Sequence, residues 1–307
     1  MDNKSQLQYL EYRRKRVKRI KAFMLFICAL FVLSPTVLCT VLFFKVIKLE
    51  KAFENLEGQF IMAQEENVKS ETFVADSIII PNTTDTIIKD NTPDAEKYEG
   101  LTRVYLTFDD GPSDYTDDVL DILSEYDIKA TFFTIAHEGK EVEYNRIVDE
   151  GHTLAIHSYT HDYGKIYSSI DSFTEDITTM SNYLYEITGV RPKFYRFPGG
   201  SSNGVSGISK DDMFDVLDKE GLVYFDWNAS AQDAVAGGLS TNQVVNNVLG
   251  GINENGETVV LMHDSAGKST TVEALPIIIE RLKEKGNVVF LPITEYTEPV
   301  QHVKKGE

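Results

Sequence analysis

From Leu101 onward the chain alternates short apolar runs with amphipathic stretches, and this alternation restricts the fold more than any other feature. Seven runs read as strands, at 103–108, 130–135, 153–157, 193–197, 222–226, 258–262 and 287–291. Helical patterns lie between them: Tyr115, Val119, Leu120 and Leu123, then 171–188, 211–220, 241–250 and 272–285. Parallel neighbours need a long crossover, usually a helix, so this order predicts a parallel sheet. Seven strands alternating with helices predict an α/β fold, a distorted (β/α) barrel of about seven parallel strands. The functional rim of such a barrel lies at the C-terminal ends of its strands.

Polar residues gather at those ends. Val104, Leu106 and Phe108 alternate with Arg103, Tyr105 and Thr107, and the run closes in Asp109, Asp110, Gly111 and Pro112. Adjacent carboxylates here suit a metal ligand and a general base, while Asp, Gly and Pro are equally ordinary turn residues. His157 and His161, in HSYTH, follow the third strand. A helical turn beginning after His157 would put both imidazoles on one face, and two His with one carboxylate form a catalytic zinc set. Paired His on a loop are also often only solvated. Arg196 closes the fourth strand, Asp226 and Trp227 the fifth, and His263 follows the sixth. His137, His152 and His302 lack such partners in the pattern and read as structural or surface residues.

The first 100 residues differ in kind. Residues 1–21 carry a net charge of +6, against −24 in the remainder and −18 overall. Residues 22–44 then contain no charge, and such a run is long enough to cross a hydrocarbon core of about 30 Å. It is too long for a cleaved signal peptide, no small-residue site closes it, and Leu38 before Cys39 does not suit a lipoprotein signal. The expectation is a single-pass anchor in the cell membrane, with the basic tail cytoplasmic and the rest extracellular. Both cysteines, Cys28 and Cys39, fall in that run, so the exterior has no disulfide. Val46, Leu49, Phe53, Leu56 and Phe60 form a short heptad seam over residues 46–60. A weak homodimer would use it, though so short a seam is more often one face of an amphipathic helix. Residues 45–100 thus read as a helix and an acidic tether. They would leash the domain by about 27 Å of helix and roughly 30–35 Å of flexible chain. The acidic exterior argues against nucleic acid as a partner.

TFDDG, HSYTH, RFPGG, DWNASAQDA and LMHDS, in this order and at these strand ends, resemble the five motifs of the polysaccharide deacetylases of carbohydrate esterase family 4, the NodB-homology domain. The resemblance covers 101–299, leaving 300–307 as a tail. It implies that Asp109 is the catalytic base, and that Asp110, His157 and His161 bind a divalent ion, Zn²⁺ first, with Co²⁺, Mn²⁺ or Ni²⁺ as alternatives. It further implies that Arg196 orients the base and that His263, paired with Asp233, is the general acid. Trp227 and Leu261 would line the acetyl pocket. Gly199 stands where many members have Tyr, in a role thought to use the backbone N–H, which Gly retains. Ala234 stands where many have Trp, which bears on specificity more than on chemistry. The implied function is removal of acetyl groups from a cell-wall glycan, foremost the N-acetylglucosamine of peptidoglycan. Competing readings are deacetylation of O-acetyl xylan or chitin, and a non-catalytic wall-binding protein on the same fold.

Overall fold

The computed structural model describes residues 92–306 apart from Ser206. The basic tail, the candidate membrane span at 22–44, the seam at 46–60 and most of the tether lie outside the described residues. No helix among the described residues is long and apolar enough to cross a membrane.

The elements follow in the order α1 (Asp94–Lys97), β1 (Thr102–Asp109), α2 (Asp114–Glu125), β2 (Thr131–Ile135), α3 (Glu141–Asp149), β3 (Thr153–Ser158), α4 (Tyr163–Ile166) and α5 (Ile170–Thr188). They continue with β4 (Phe194–Tyr195), α6 (Lys210–Glu220), β5 (Val223–Tyr224), β6 (Ala229–Ser230), α7 (Thr241–Gly250), β7 (Glu257–His263), α8 (Ser269–Lys283) and β8 (Val288–Phe290). Each of the seven expected runs contains a strand, with β4 and β5 cut to two residues. Strand β6 was not foreseen, because two residues carry no periodicity. Helix α3 was also missed; it buries only Glu143, Tyr144 and Ile147, too few for an apolar stripe.

Every strand pairing is parallel, and seven strands run in one path, β5-β4-β3-β2-β1-β7-β6. The eighth strand, β8, pairs with the first half of β1 at Thr102 to Val104, while β2 pairs with its end at Thr107 to Asp109. One edge of β1 is therefore shared by two strands, and the path ends at β5 and β6 without closing. This is a distorted (β/α) barrel.

Alternation along the strands sorts two cores. Val104, Leu106 and Phe108 join the large cluster shared with the helices. Tyr105, Phe133, Ala155, Phe194, Phe225, Val259 and Ile293 form the smaller one inside the barrel. Counting on by two from these inner residues reaches Asp109, His157, Arg196 and His263, since successive side chains of a strand point to opposite faces. Register sets their level: Asp109 lies opposite His263 on β7 and opposite Phe133 on β2.

Candidate active site

Strand β1 delivers Asp109 to the rim, and Asp110 turns away from it in a left-handed conformation, with φ 70°. Short polar side chains tolerate that region better than most. Ser113 then caps α2, its hydroxyl accepting from the Tyr115 N–H while Thr116 accepts from the Ser113 N–H. Gly111 is required for space, because a Cβ there would lie 2.2 Å from Asp264 Oδ2. Asp264 is buried beneath the loop, where its Oδ2 accepts from the Thr116 hydroxyl at 2.5 Å and its N–H donates to Asp109 O at 3.3 Å. Burial pushes its pKa up to about 7.

His157 arrives at the end of β3. Its Nδ1 donates to the Arg196 carbonyl at 2.9 Å, which leaves Nε2 with a lone pair facing the site. Burial holds its pKa down, so the imidazole is neutral, as a ligand must be. The helical turn expected after His157 does not form. Residues 159 and 160 bend instead, and His161 takes φ 51°. The bend is held by Asp176 of α5, whose carboxylate accepts from Ser158 Oγ (2.8 Å), Tyr159 N (2.9 Å), Thr160 N (3.0 Å) and Thr160 Oγ1 (3.0 Å). The His161 N–H in turn donates to Ser158 Oγ at 2.8 Å. A tertiary contact therefore does what helical spacing was expected to do.

Asp110, His157 and His161 can each offer one ligand atom, all within 4.8 Å of one another. Asp110 Oδ1 lies 3.4 Å from His157 Nε2 and 3.2 Å from His161 Nε2. Donors about 2.0–2.1 Å from a common tetrahedral ion stand about 3.3 Å apart. The same Oδ1 is buried without a hydrogen-bond partner, a costly state for a carboxylate unless a cation serves it. These residues fit a divalent ion.

Two ionisable pairs flank this cluster, Asp109 with Arg196 and His263 with Asp233. Arg196 is fully buried. Its Nη1 donates to Asp109 Oδ1 at 2.8 Å and Thr107 Oγ1 at 2.7 Å, Nε to Phe225 O, and Nη2 to Asp226 O, both at 3.0 Å. Its guanidinium also stands 4.0 Å from the centre of the Phe133 ring. One oxygen of Asp109 is thus bound, and Oδ2 remains toward the cluster, 4.0 Å from His157 Nε2. On the other side, His263 Nδ1 lies 2.8 Å from Asp233 Oδ1, and Asp233 Oδ2 accepts from the His263 N–H and the Thr271 hydroxyl. Burial opposes charge on the imidazole, but the Asp233 hydrogen bond and charge outweigh it and raise the pKa of His263. His263 Nε2 faces Asp110 Oδ2 at 4.0 Å.

The family model for polysaccharide deacetylase matches residues 97–219, which include the loop of Asp109 and Asp110, His157, His161 and Arg196. A peptidoglycan-N-acetylglucosamine deacetylase of Bacillus cereus is 33% identical over 198 residues, covering 62% of this chain and 70% of that protein. The chain belongs to the polysaccharide deacetylase family. A bifunctional xylanase/deacetylase of Pseudobutyrivibrio xylanivorans is 38% identical over 202 residues, 64% of this chain but only 30% of that one. The crystal structure of the catalytic domain of peptidoglycan N-acetylglucosamine deacetylase from Eubacterium rectale is similar at 39% identity and a TM-score of 0.61. It covers 66% of this chain and 94% of that one.

Within this polysaccharide deacetylase fold, Trp227 stands over Arg196 at 5.8 Å, and Leu261 lies on β7 in register with Thr107. Gly199 and Gly200 both have positive φ, and a Cβ on Gly200 would touch the Trp227 ring at 3.0 Å. Asp226 points elsewhere, accepting from the N–H groups of Ser201 and His302 and from the Ser201 hydroxyl. His152 is a buried core residue, with its pKa lowered by burial to about 4 and its Nδ1 accepting from the Ala130 N–H. His137 is nearer the chemistry than its isolation in the sequence suggests, bordering a groove with Asp110, His161 and Lys140. His302 is likewise tied to the site: its Nε2 donates to Trp227 O at 2.6 Å and its ring meets the indole edge-on at 5.0 Å. Asp176 and Asp264 were missed by sequence reasoning. For Asp176 a signal existed, since it shares the buried side of α5 with Phe173, Ile177, Met180 and Leu184.

Proposed function

We propose that this chain hydrolyses acetyl groups from the N-acetylated sugars of a cell-wall polysaccharide, foremost the N-acetylglucosamine of peptidoglycan, and releases acetate. One observation carries the reading: a carboxylate with one oxygen held by Arg196 and a carboxylate-paired imidazole, His263, stand in register on either side of a three-ligand cluster. Asp110, His157 and His161 would hold a divalent ion, Zn²⁺ first, which when bound would supply Lewis-acid chemistry to the acetamide carbonyl and to the attacking water.

Asp109 accepts the proton of that water, and Arg196 keeps its carboxylate oriented. The Gly199 N–H donates to the oxyanion that develops on the acyl oxygen. His263, held protonated by Asp233, gives its proton to the leaving amine, without which a C–N bond breaks slowly. Trp227 and Leu261 supply an apolar wall for the acetyl methyl. Removal of O-acetyl groups from xylan uses the same groups on an ester, and similarity to a xylanase/deacetylase favours it as the second reading. Retention of the base, all three ligands and the acid argues against a purely binding role.

The reading of residues 22–44 as a membrane span and 45–100 as a leash supports a substrate in wall close to the bilayer. Two measurements test the proposal. The purified chain, with and without chelator, is offered peptidoglycan, N-acetylglucosamine oligomers and acetylated xylan, and acetate is measured. Wall from cells with and without the protein is then compared for its ratio of glucosamine to N-acetylglucosamine. An unchanged ratio, under conditions where the protein is made, refutes the peptidoglycan assignment.

A further inference from the structure

We propose that the Tyr163 hydroxyl is a second hydrogen-bond donor to the acyl oxygen, placed in the space that Gly199 leaves open; this rests on the deacetylase reading above. Tyr163 opens α4 two residues after the ligand His161. The Asp162 carboxylate fixes that turn by accepting from the Gly164 and Lys165 N–H groups, at 2.9 and 3.2 Å. The tyrosine ring stands edge-on to the His161 imidazole at 5.5 Å and to the Tyr167 ring at 5.9 Å.

The tip of the phenol lies against Gly199. A Cβ built at that glycine would fall 3.1 Å from the Tyr163 hydroxyl oxygen and 3.2 Å from its Cε1, on a backbone with φ of +78°. Positions 163 and 199 therefore compete for one volume, and here the tyrosine fills it. The hydroxyl stands beside the residue whose N–H serves the acyl oxygen, on a ring packed against His161. Its neighbour offers a contrast. Tyr167 spends its hydroxyl on the Pro198 carbonyl at 2.9 Å, a structural bond. The Tyr163 hydroxyl has no hydrogen-bond partner among the described residues and is only half-buried. An O–H left unpaired at a reacting centre, beside a backbone N–H, is the second donor that a developing oxyanion needs.

The test is Tyr163→Phe in the full chain, which keeps the ring packing and removes only the hydroxyl. Acetate release is followed kinetically on peptidoglycan and N-acetylglucosamine oligomers with the zinc-loaded protein, and bound zinc per chain is measured separately. The expected result is a kcat lower by about tenfold or more, with KM within about twofold and zinc content unchanged. Wild-type kcat in Y163F overturns the inference and leaves the deacetylase reading standing. A parallel loss of zinc assigns the hydroxyl to support of His161, and a raised KM with normal kcat assigns it to sugar binding; either overturns the inference. No acetate from the wild-type chain on any of the glycans overturns both readings.

Discussion

Asp176 is a carboxylate outside the Asp110, His157 and His161 cluster, yet it holds the bend that carries His161. Its two oxygens accept four hydrogen bonds, two from backbone N–H groups and two from hydroxyls, all between 2.8 and 3.0 Å. Asp176→Asn keeps one acceptor oxygen and turns an NH₂ group toward donors, so about half of these bonds are lost. Hydrogen bonds to a charged group are worth about 1.5–3 kcal/mol each. Two such bonds set an upper bound of about 3–6 kcal/mol on the loss of stability, and His161 is freed from the geometry that faces it toward Asp110. Loss of such a supporting contact lowers metal affinity by about 10- to 100-fold. That factor corresponds to about 1.4–2.8 kcal/mol, close to the worth of one charged hydrogen bond. Zinc affinity is measured by competition with a chromophoric chelator, and stability by thermal unfolding of the metal-free protein. A variant that binds zinc within about threefold of wild type refutes the claim that Asp176 places His161.

The remaining predictions separate roles inside the site. His161→Ala removes most of the bound metal and the activity together, whereas Asp109→Asn abolishes turnover while metal stays bound; atomic absorption alongside acetate release reads both. The rate should show a bell-shaped dependence on pH, with the alkaline limb set by His263, active when protonated and raised above its ordinary value by Asp233. Asp233→Asn takes away the anion that favours imidazolium, so that limb moves to lower pH; an unmoved limb would make Asp233 structural only.

How much of this was legible beforehand depends on the range of the interaction. Strand β1, its alternation and the two carboxylates at its end are local properties, and a period of two already says that Tyr105, Thr107 and Asp109 share a face. The alternation of strands and helices over 200 residues implied a parallel barrel for the same reason: an apolar face repeated at the right period has few ways to be buried. Local pattern failed where pairing was decided elsewhere. β6 is a strand only because Ala229 and Ser230 lie beside Val260 and Leu261 of β7. His157 and His161 meet through Asp176, fifteen residues beyond His161, and not through helical spacing. Asp264 sits under Gly111, and His302 folds back to Trp227, because docking of elements far apart in the chain put them there. Periodicity along one backbone is enough to place the polar residue types at the strand ends. Which of them touch is set by strand register and helix docking, and those depend on side chains from across the whole domain.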